Sequence, residues 1–223
     1  MEAYKREFIE FMVRCGVLTF GDFTTKSGRK TPFFINTGKY DSGAQIARLG
    51  RYYAQAIMER LAGAVDCLFG PAYKGIPLAT AAAYSLSTDF GRDVTFCFNR
   101  KEAKDHGEGG SLIGHVLRAG ERVAIIEDVT TAGTSIRESV PLLKKAADVQ
   151  ITALVVSVDR MEKGTGAKSA LAEIRDEFGI IPVPIVTLAE IVEHLSTTPM
   201  DGKILLTPDL LKRIADYRAQ YGA

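Results

Sequence analysis

The sequence predicts an α/β fold in which helices cover both faces of a parallel-rich central sheet, with a small hood from the N-terminal segment. Three observations predict it. Short, predominantly apolar strands recur along the chain, as at 67–69, 123–126 and 151–158. Helical patterns separate them. Strands of that kind are buried on both faces, which parallel sheets require. The third is length: 223 residues suit one elaborated domain better than two of ~150 residues each. A single domain over 1–223 is expected, with the hood mainly in 1–40.

Each element has its own signal. Tyr4, Phe8, Phe11, Met12 and Cys15 recur at helical spacing, and Gly16 follows as a stop. Segment 20–36 mixes Gly21, Gly28 and Pro32 with Thr, Phe and Ile, which predicts short strands or a hairpin. With the first helix it breaks the alternation, so both are expected to form an appended cap. Ser42 can cap a long helix carrying Ile46, Leu49, Tyr53, Ile57 and Leu61 on one face. Strand 67–69 is closed by Gly70-Pro71, and an Ala-rich helix covers 76–86. Strands at 94–98, 123–126, 151–158 and 183–186 alternate with helices at about 135–146, 168–178 and 188–195. Thr207 caps a last helix with Pro208 at its first position and Ile214 facing inward. Segment 100–111 holds three glycines and six charged residues, so it cannot build core and reads as a mobile loop.

Composition narrows the function. Lys+Arg is 28 and Asp+Glu 27, a net charge of +1, which argues against a dedicated nucleic-acid binder. Hydrophobic residues are 46% and charged ones 25%, an ordinary globular mix. No apolar run approaches the ~20 residues of a membrane span, and the charged N-terminus lacks a signal-peptide pattern. A cytoplasmic protein is expected. Cys15, Cys67 and Cys97 stand apart in the chain and read as reduced thiols, not as disulfides or zinc ligands.

The chemistry concentrates in Val123-Ala-Ile-Ile-Glu127-Asp128-Val129-Thr130-Thr131-Ala132-Gly133-Thr134-Ser135. A buried strand ends in two acids, a hydroxyl-rich turn follows, and then a helix begins. In an open parallel sheet such turns face the ligand crevice. The turn amides and helix N-terminus suit a phosphate, and Gly133 lets the backbone close around it. The acids are wrong for phosphate but can accept hydrogen bonds from ribose hydroxyls. Together they specify a sugar phosphate. Neither a P-loop nor a dinucleotide glycine pattern occurs.

That string resembles the 5-phosphoribosyl 1-pyrophosphate motif of type I phosphoribosyltransferases. Phe23-Thr-Thr-Lys26-Ser-Gly28-Arg29, Phe33-Phe34-Ile35-Asn36, Gly70-Pro-Ala-Tyr73-Lys74-Gly75, Phe98-Asn-Arg100-Lys101-Glu-Ala-Lys104-Asp-His106-Gly107 and Val158-Asp159-Arg160 resemble the orotate phosphoribosyltransferase family. The resemblance runs from the first helix to the last and implies a type I phosphoribosyltransferase fold. It also implies transfer of phosphoribosyl from 5-phosphoribosyl 1-pyrophosphate to orotate in pyrimidine (UMP) biosynthesis, with release of pyrophosphate.

The resemblance also implies roles. Glu127 and Asp128 hold the ribose hydroxyls, with Asp128 among the catalytic groups. Thr130, Thr131, Ala132, Gly133, Thr134 and Ser135 cradle the 5′-phosphate, with Val129 also in the ribosyl-pyrophosphate-binding set, and Thr131 also contacts orotate. Tyr73, Lys74 and Arg100 serve the pyrophosphate, with Lys26 reaching it from the hood. Lys101, Lys104 and His106 on the 100–111 loop are catalytic, because cations placed where charge develops stabilise the leaving group. Phe33, Phe34 and Arg160 match the orotate side, where a guanidinium fork pairs with a carboxylate. Mg²⁺ is implied, held mainly by substrate with no dedicated protein cage. A homodimer sharing active sites through the lid loop is implied as well. Two rivals stay open: the same fold acting on another base, and a non-catalytic ribosyl-pyrophosphate-binding regulator. His115 and His194 match nothing and read as structural.

Overall fold

A computed structural model describes residues 1–25, 28–62, 64–100, 111–130 and 132–223. Lys26, Lys101, Lys104, His106 and Thr131 lie outside the described residues.

Helix α1 (Ala3–Arg14) is followed by strands β1 (Leu18–Thr24) and β2 (Lys30–Ile35), a 3-10 turn (Thr37–Lys39) and helix α2 (Gly43–Leu61). Then come β3 (Cys67–Gly70), α3 (Gly75–Phe90), β4 (Thr95–Asn99), β5 (Leu112–Gly114) and β6 (Arg122–Glu127). The chain ends with α4 (Thr134–Ala146), β7 (Gln150–Asp159), α5 (Ala170–Phe178), β8 (Ile181–Thr187), α6 (Leu188–Thr197) and α7 (Pro208–Tyr221). Ser42 caps α2 in a reciprocal box with Gln45, and Thr187 does the same for α6 with Glu190.

The central sheet has the order β5-β4-β3-β6-β7-β8, and every pair is parallel except β4 with β5. Side chains alternate between its faces, as a two-residue period demands. Leu68, Ala124, Ile126 and Val155 enter the core shared with α1, α2, α3 and α6. Cys67, Phe69, Ile125 and Val156 enter the other, with Ile136 and Val140 of α4 and Ile174 of α5.

The antiparallel strand β5 is not evident in the sequence. It has three residues, too few for a periodic signal, and stands opposite Cys97–Asn99 of β4. Arg100 N–H donates to the Ser111 carbonyl at 2.9 Å, so the two residues that flank segment 101–110 are held together at the sheet edge.

The hood is a two-stranded antiparallel sheet of β1 and β2. Helix α1 packs on β1 of this hairpin and also on α2, α6 and β8, and Phe8, Ile9 and Met12 share the main core with Leu18 and Phe33 of the hairpin. The hairpin is also closed by the far end of the chain. Helix α7 lies against β2, with Tyr217 edge-on to Phe33 at 5.6 Å and the Arg29 guanidinium 5.0 Å over Tyr221.

Cys67 and Cys97 also differ from their spacing in the sequence. They are buried on neighbouring strands with sulfurs 3.8 Å apart, as free thiols. His115 and His194 sit against Glu121 (2.9 Å) and Glu10 (3.1 Å), consistent with structural roles.

Candidate active site

The sheet order changes direction between β3 and β6: β3 leads outward to β4, and β6 leads the opposite way to β7. A crevice opens at such a switch point, beyond the carboxyl ends of the strands. The 71–74 loop after β3 and the turn after β6 face it. Gly70 and Gly75 make the first loop tight. A Cβ on Gly70 would lie 2.3 Å from the Gly75 carbonyl oxygen, and one on Gly75 2.8 Å from that of Ile126. The Ala72–Tyr73 peptide is cis. Ala72 N–H donates to Asn99 Oδ1 at 2.7 Å, tying this loop to the end of β4.

Glu127 and Asp128 end β6 in different company. Glu127 Oε1 accepts from Ser135 Oγ at 2.6 Å, and Oε2 from the Asp128 amide at 3.2 Å. Asp128 Oδ2 accepts from Thr37 Oγ1 at 2.6 Å and Lys74 Nζ at 2.9 Å, while Lys74 also donates to Thr37 Oγ1 at 3.1 Å. The pair titrates apart. Burial foremost, then the neighbouring Asp128 charge, pushes Glu127 up to about 7 against the opposing Ser135 bond. Burial also acts upward on Asp128, but the Thr37 and Lys74 donors outweigh it, and its pKa falls below the usual value.

A deeper layer fixes the backbone under the acids. Tyr53 Oη, on a fully buried side chain of α2, donates to the Glu127 carbonyl at 2.6 Å. Ser157 of β7 donates to the Asp128 carbonyl through Oγ at 2.6 Å and through its amide at 2.9 Å.

Behind the acids the chain turns into α4. Gly133 precedes it with φ +72°, where an added Cβ would also press on Arg137 and Ile174 at 3.1 Å. Glycine adopts that conformation at little cost. Thr134 and Ser135 open the helix; the Ile136 and Arg137 amides donate to the Gly133 carbonyl at 3.1 and 3.0 Å, and the amides of the two opening residues precede the first of these bonds. Pro71, Ala72, Asn99, Arg100, Thr134 and Ser135 line a cavity of about 630 Å³ at this end. A smaller one of about 160 Å³ adjoins Thr37, Tyr40, Lys74 and Asp128. Val129 packs on the main core, Thr130 and Ala132 are half-buried, and Tyr73 is exposed.

The structure thus brings Lys74, Arg100, Glu127, Asp128 and Ala132–Ser135 of the predicted set together around the crevice. Phe33 and Arg160 form a second cluster, with the guanidinium 5.0 Å over the Phe33 ring. Phe33 is fully buried, backbone included, and its carbonyl accepts from Thr31 Oγ1 at 2.9 Å, so its ring serves as the floor under the guanidinium. Phe34 alternates to the other side and stacks on Phe23 at 5.6 Å. Sequence reasoning missed Thr37, Tyr53 and Ser157 as members of the acid network. Ser157 left a trace, one of two hydroxyl residues, with Thr152, in an otherwise apolar strand. Thr37, in a loop, and Tyr53, at a core position, left none.

Among the described residues no group of three or more His, Cys, Asp or Glu side chains converges to hold a metal. No helix of the described residues is long and apolar enough to cross a membrane.

An open parallel sheet with acids and a helix N-terminus at its switch point defines a protein built to hold a phosphorylated sugar. The model of the phosphoribosyl transferase domain matches residues 36–185. The chain is 57% identical over 223 residues to an orotate phosphoribosyltransferase of Clostridium beijerinckii, covering 100% of both chains. It is 58% identical over 222 residues to that of Lachnoclostridium phytofermentans, covering 100% of this chain and 99% of the relative. The crystal structure of the Francisella tularensis orotate phosphoribosyltransferase superposes with a TM-score of 0.83 at 36% identity, covering 97% of this chain and 100% of that one. The chain belongs to the orotate phosphoribosyltransferase family and has the type I phosphoribosyltransferase fold.

Proposed function

We infer that this chain transfers the phosphoribosyl group of 5-phosphoribosyl 1-pyrophosphate to orotate, giving orotidine 5′-monophosphate and pyrophosphate. The observation that carries the chemistry is the acid pair at the end of β6, facing Lys74, with the α4 N-terminus behind it. Glu127 and Asp128 accept the ribose hydroxyls and face the cationic ribosyl centre. The α4 N-terminus, with the Thr130, Thr134 and Ser135 hydroxyls, takes the 5′-phosphate. Lys74 and Arg100 face the pyrophosphate, Lys26, Lys101 and Lys104 add cations to it, and His106 adds a hydrogen-bonding imidazole. An orotate ring nitrogen attacks the anomeric carbon as the bond to pyrophosphate breaks, so no covalent enzyme intermediate is needed. Arg160 receives the orotate carboxylate, with strand β2 at Phe33 and Phe34 and the side chain of Thr131 beside the base.

Two carboxylates and a polyanionic substrate suit Mg²⁺, which retains water and leans on substrate oxygens more than on a protein cage. When bound, it supplies charge neutralisation on the pyrophosphate. A homodimer in which the 100–111 loop serves the neighbouring site, and a cytoplasmic location, belong to the same reading. The homodimer is tested by light scattering and by mixing two inactive variants, Lys104→Ala and Asp128→Asn, which should regain activity together.

The decisive assay follows loss of orotate absorbance with 5-phosphoribosyl 1-pyrophosphate and magnesium. Rapid loss that needs the divalent ion, and that Lys104→Ala abolishes while ribosyl pyrophosphate still binds, is expected. No loss with orotate, but turnover with another base, would reassign the acceptor. Binding without turnover of any base would make the chain a regulator.

A further inference from the structure

Arg160 directly follows β7, yet its side chain is only 10% exposed, as is that of Glu162. Its Nε and Nη2 both donate to Glu162 Oε1, at 2.8 and 2.6 Å. The Tyr217 hydroxyl donates to the same oxygen at 2.8 Å, and its own oxygen accepts from Nη2 at 3.3 Å. One face of the guanidinium lies over the Phe33 ring. Both Nη2 hydrogens and the Nε hydrogen are used in these bonds and none of them uses Nη1, so Nη1 is the end of the guanidinium presented to a second carboxylate.

The clamp is anchored by the end of the chain. Lys163 N–H donates to the Tyr221 carbonyl at 2.9 Å, and Ala223 N–H to that of Met161 at 3.0 Å. Glu162 itself pairs with Gly222 in an isolated antiparallel bridge. Helix α7 therefore holds Glu162 and Tyr217 in register with Arg160.

We propose that Glu162 and Tyr217 are positioning residues that fix the Arg160 fork for the acceptor's carboxylate, making the C-terminal helix part of acceptor selection. The proposal rests on the reading that Arg160 meets the orotate carboxylate. A free arginine side chain has many rotamers to lose, whereas a fork already held on one edge and one face loses few on binding. The effect is confined to the acceptor, because ribosyl pyrophosphate is held at the ends of β3 and β6.

The test measures kcat and both KM values in Arg160→Ala, Glu162→Ala, Glu162→Gln and Tyr217→Phe. Glu162→Ala should raise the orotate KM about tenfold, and Tyr217→Phe about threefold. The ribosyl pyrophosphate KM should stay within about twofold, since only the acceptor clamp is touched. Glu162→Gln keeps an acceptor oxygen for Nε, Nη2 and Tyr217 and should recover most of the loss. Arg160→Ala must itself raise the orotate KM; if it does not, the parent reading fails and this proposal with it. If Arg160→Ala does so while Glu162→Ala and Tyr217→Phe leave the orotate KM unchanged, the clamp is overturned and the parent reading stands. Equal rises in both KM values would also overturn it, as general damage. Should Glu162→Ala fail to fold, Tyr217→Phe decides alone by the same criterion.

Discussion

Replacing Tyr53 by Phe isolates one hydrogen bond beneath the acid pair. The ring is fully buried and stays in place, so no large cavity opens. The hydroxyl that donates to the Glu127 carbonyl at 2.6 Å is lost, and that carbonyl is left one donor short. Burial first, with the Asp128 charge adding to it, holds the hydroxyl's pKa far above its ordinary value, so it donates at every working pH. Stripping a donor from a buried acceptor costs ~2 kcal/mol. For a chain of this size that is a fall in Tm of roughly 4–8 °C. Ser157→Ala should cost less, about 1 kcal/mol, because the Asp128 carbonyl keeps the Ser157 amide at 2.9 Å. Calorimetry of the three proteins checks the order, and initial rates check that the ribosyl pyrophosphate KM rises with Tyr53→Phe. A Tyr53→Phe protein melting within about 1 °C of the parent, with unchanged KM, would refute the view that α2 holds the acid pair in place.

Further outcomes follow from the same geometry. Glu127 has a folded pKa raised to about 7 from 4.5, so its contribution to stability is complete below 4.5 and is lost as pH rises through about 7. Tm measured against pH should be flatter for Glu127→Gln than for the parent across that window; parallel curves would contradict the assignment. Lys74→Met should raise the ribosyl pyrophosphate KM in steady-state assays while moving stability by less than about 1 kcal/mol, since Lys74 is 63% exposed. Gly50→Ala sets a Cβ 2.5 Å from the Ala81 carbonyl oxygen, so α2 and α3 must separate. Denaturant melts should show a loss of ~1–3 kcal/mol.

What the sequence disclosed depended on whether a signal was local. The Ser42 cap, the apolar strands and the acid–hydroxyl–glycine turn are each written within a few consecutive residues; the cap and the strands stand in the structure as read, and the acids and Gly133 stand at the end of β6 and the start of α4. The pairings that complete the site are not local. Thr37 meets Asp128 across 91 positions and Tyr53 meets Glu127 across 74. Neither partner's residue type announces the contact: a threonine in a turn and a tyrosine on a core face are ordinary. Cys67 and Cys97 carry the same lesson, since their meeting depends on β3 and β4 being neighbours. The closure of the hood by α7 was hidden for the same reason. Nothing near Tyr217 and Tyr221 in the sequence marks the partners, Phe33 and Arg29, against which the fold sets them.

The two acids are adjacent in sequence and nearly alike in chemistry, yet the fold drives their titrations in opposite directions. The cause lies outside the strand that bears them. Glu127 has a hydroxyl of α4 and one amide, too little to offset its burial. Asp128 has an ammonium from the β3 loop and a hydroxyl from the turn after the hood. Its charge at rest is therefore maintained by two other segments. On the proposed reading, Lys74 must turn from Asp128 to the pyrophosphate when substrate enters. Asp128 then loses one donor and gains a ribose hydroxyl in its place. Binding becomes an exchange of partners at a carboxylate that is already ionised, and the desolvation of that charge has been met in folding rather than at the moment of reaction. Thr37 is the partner that need not leave. Its hydroxyl spans the interval in which Lys74 has gone and the sugar has not yet settled.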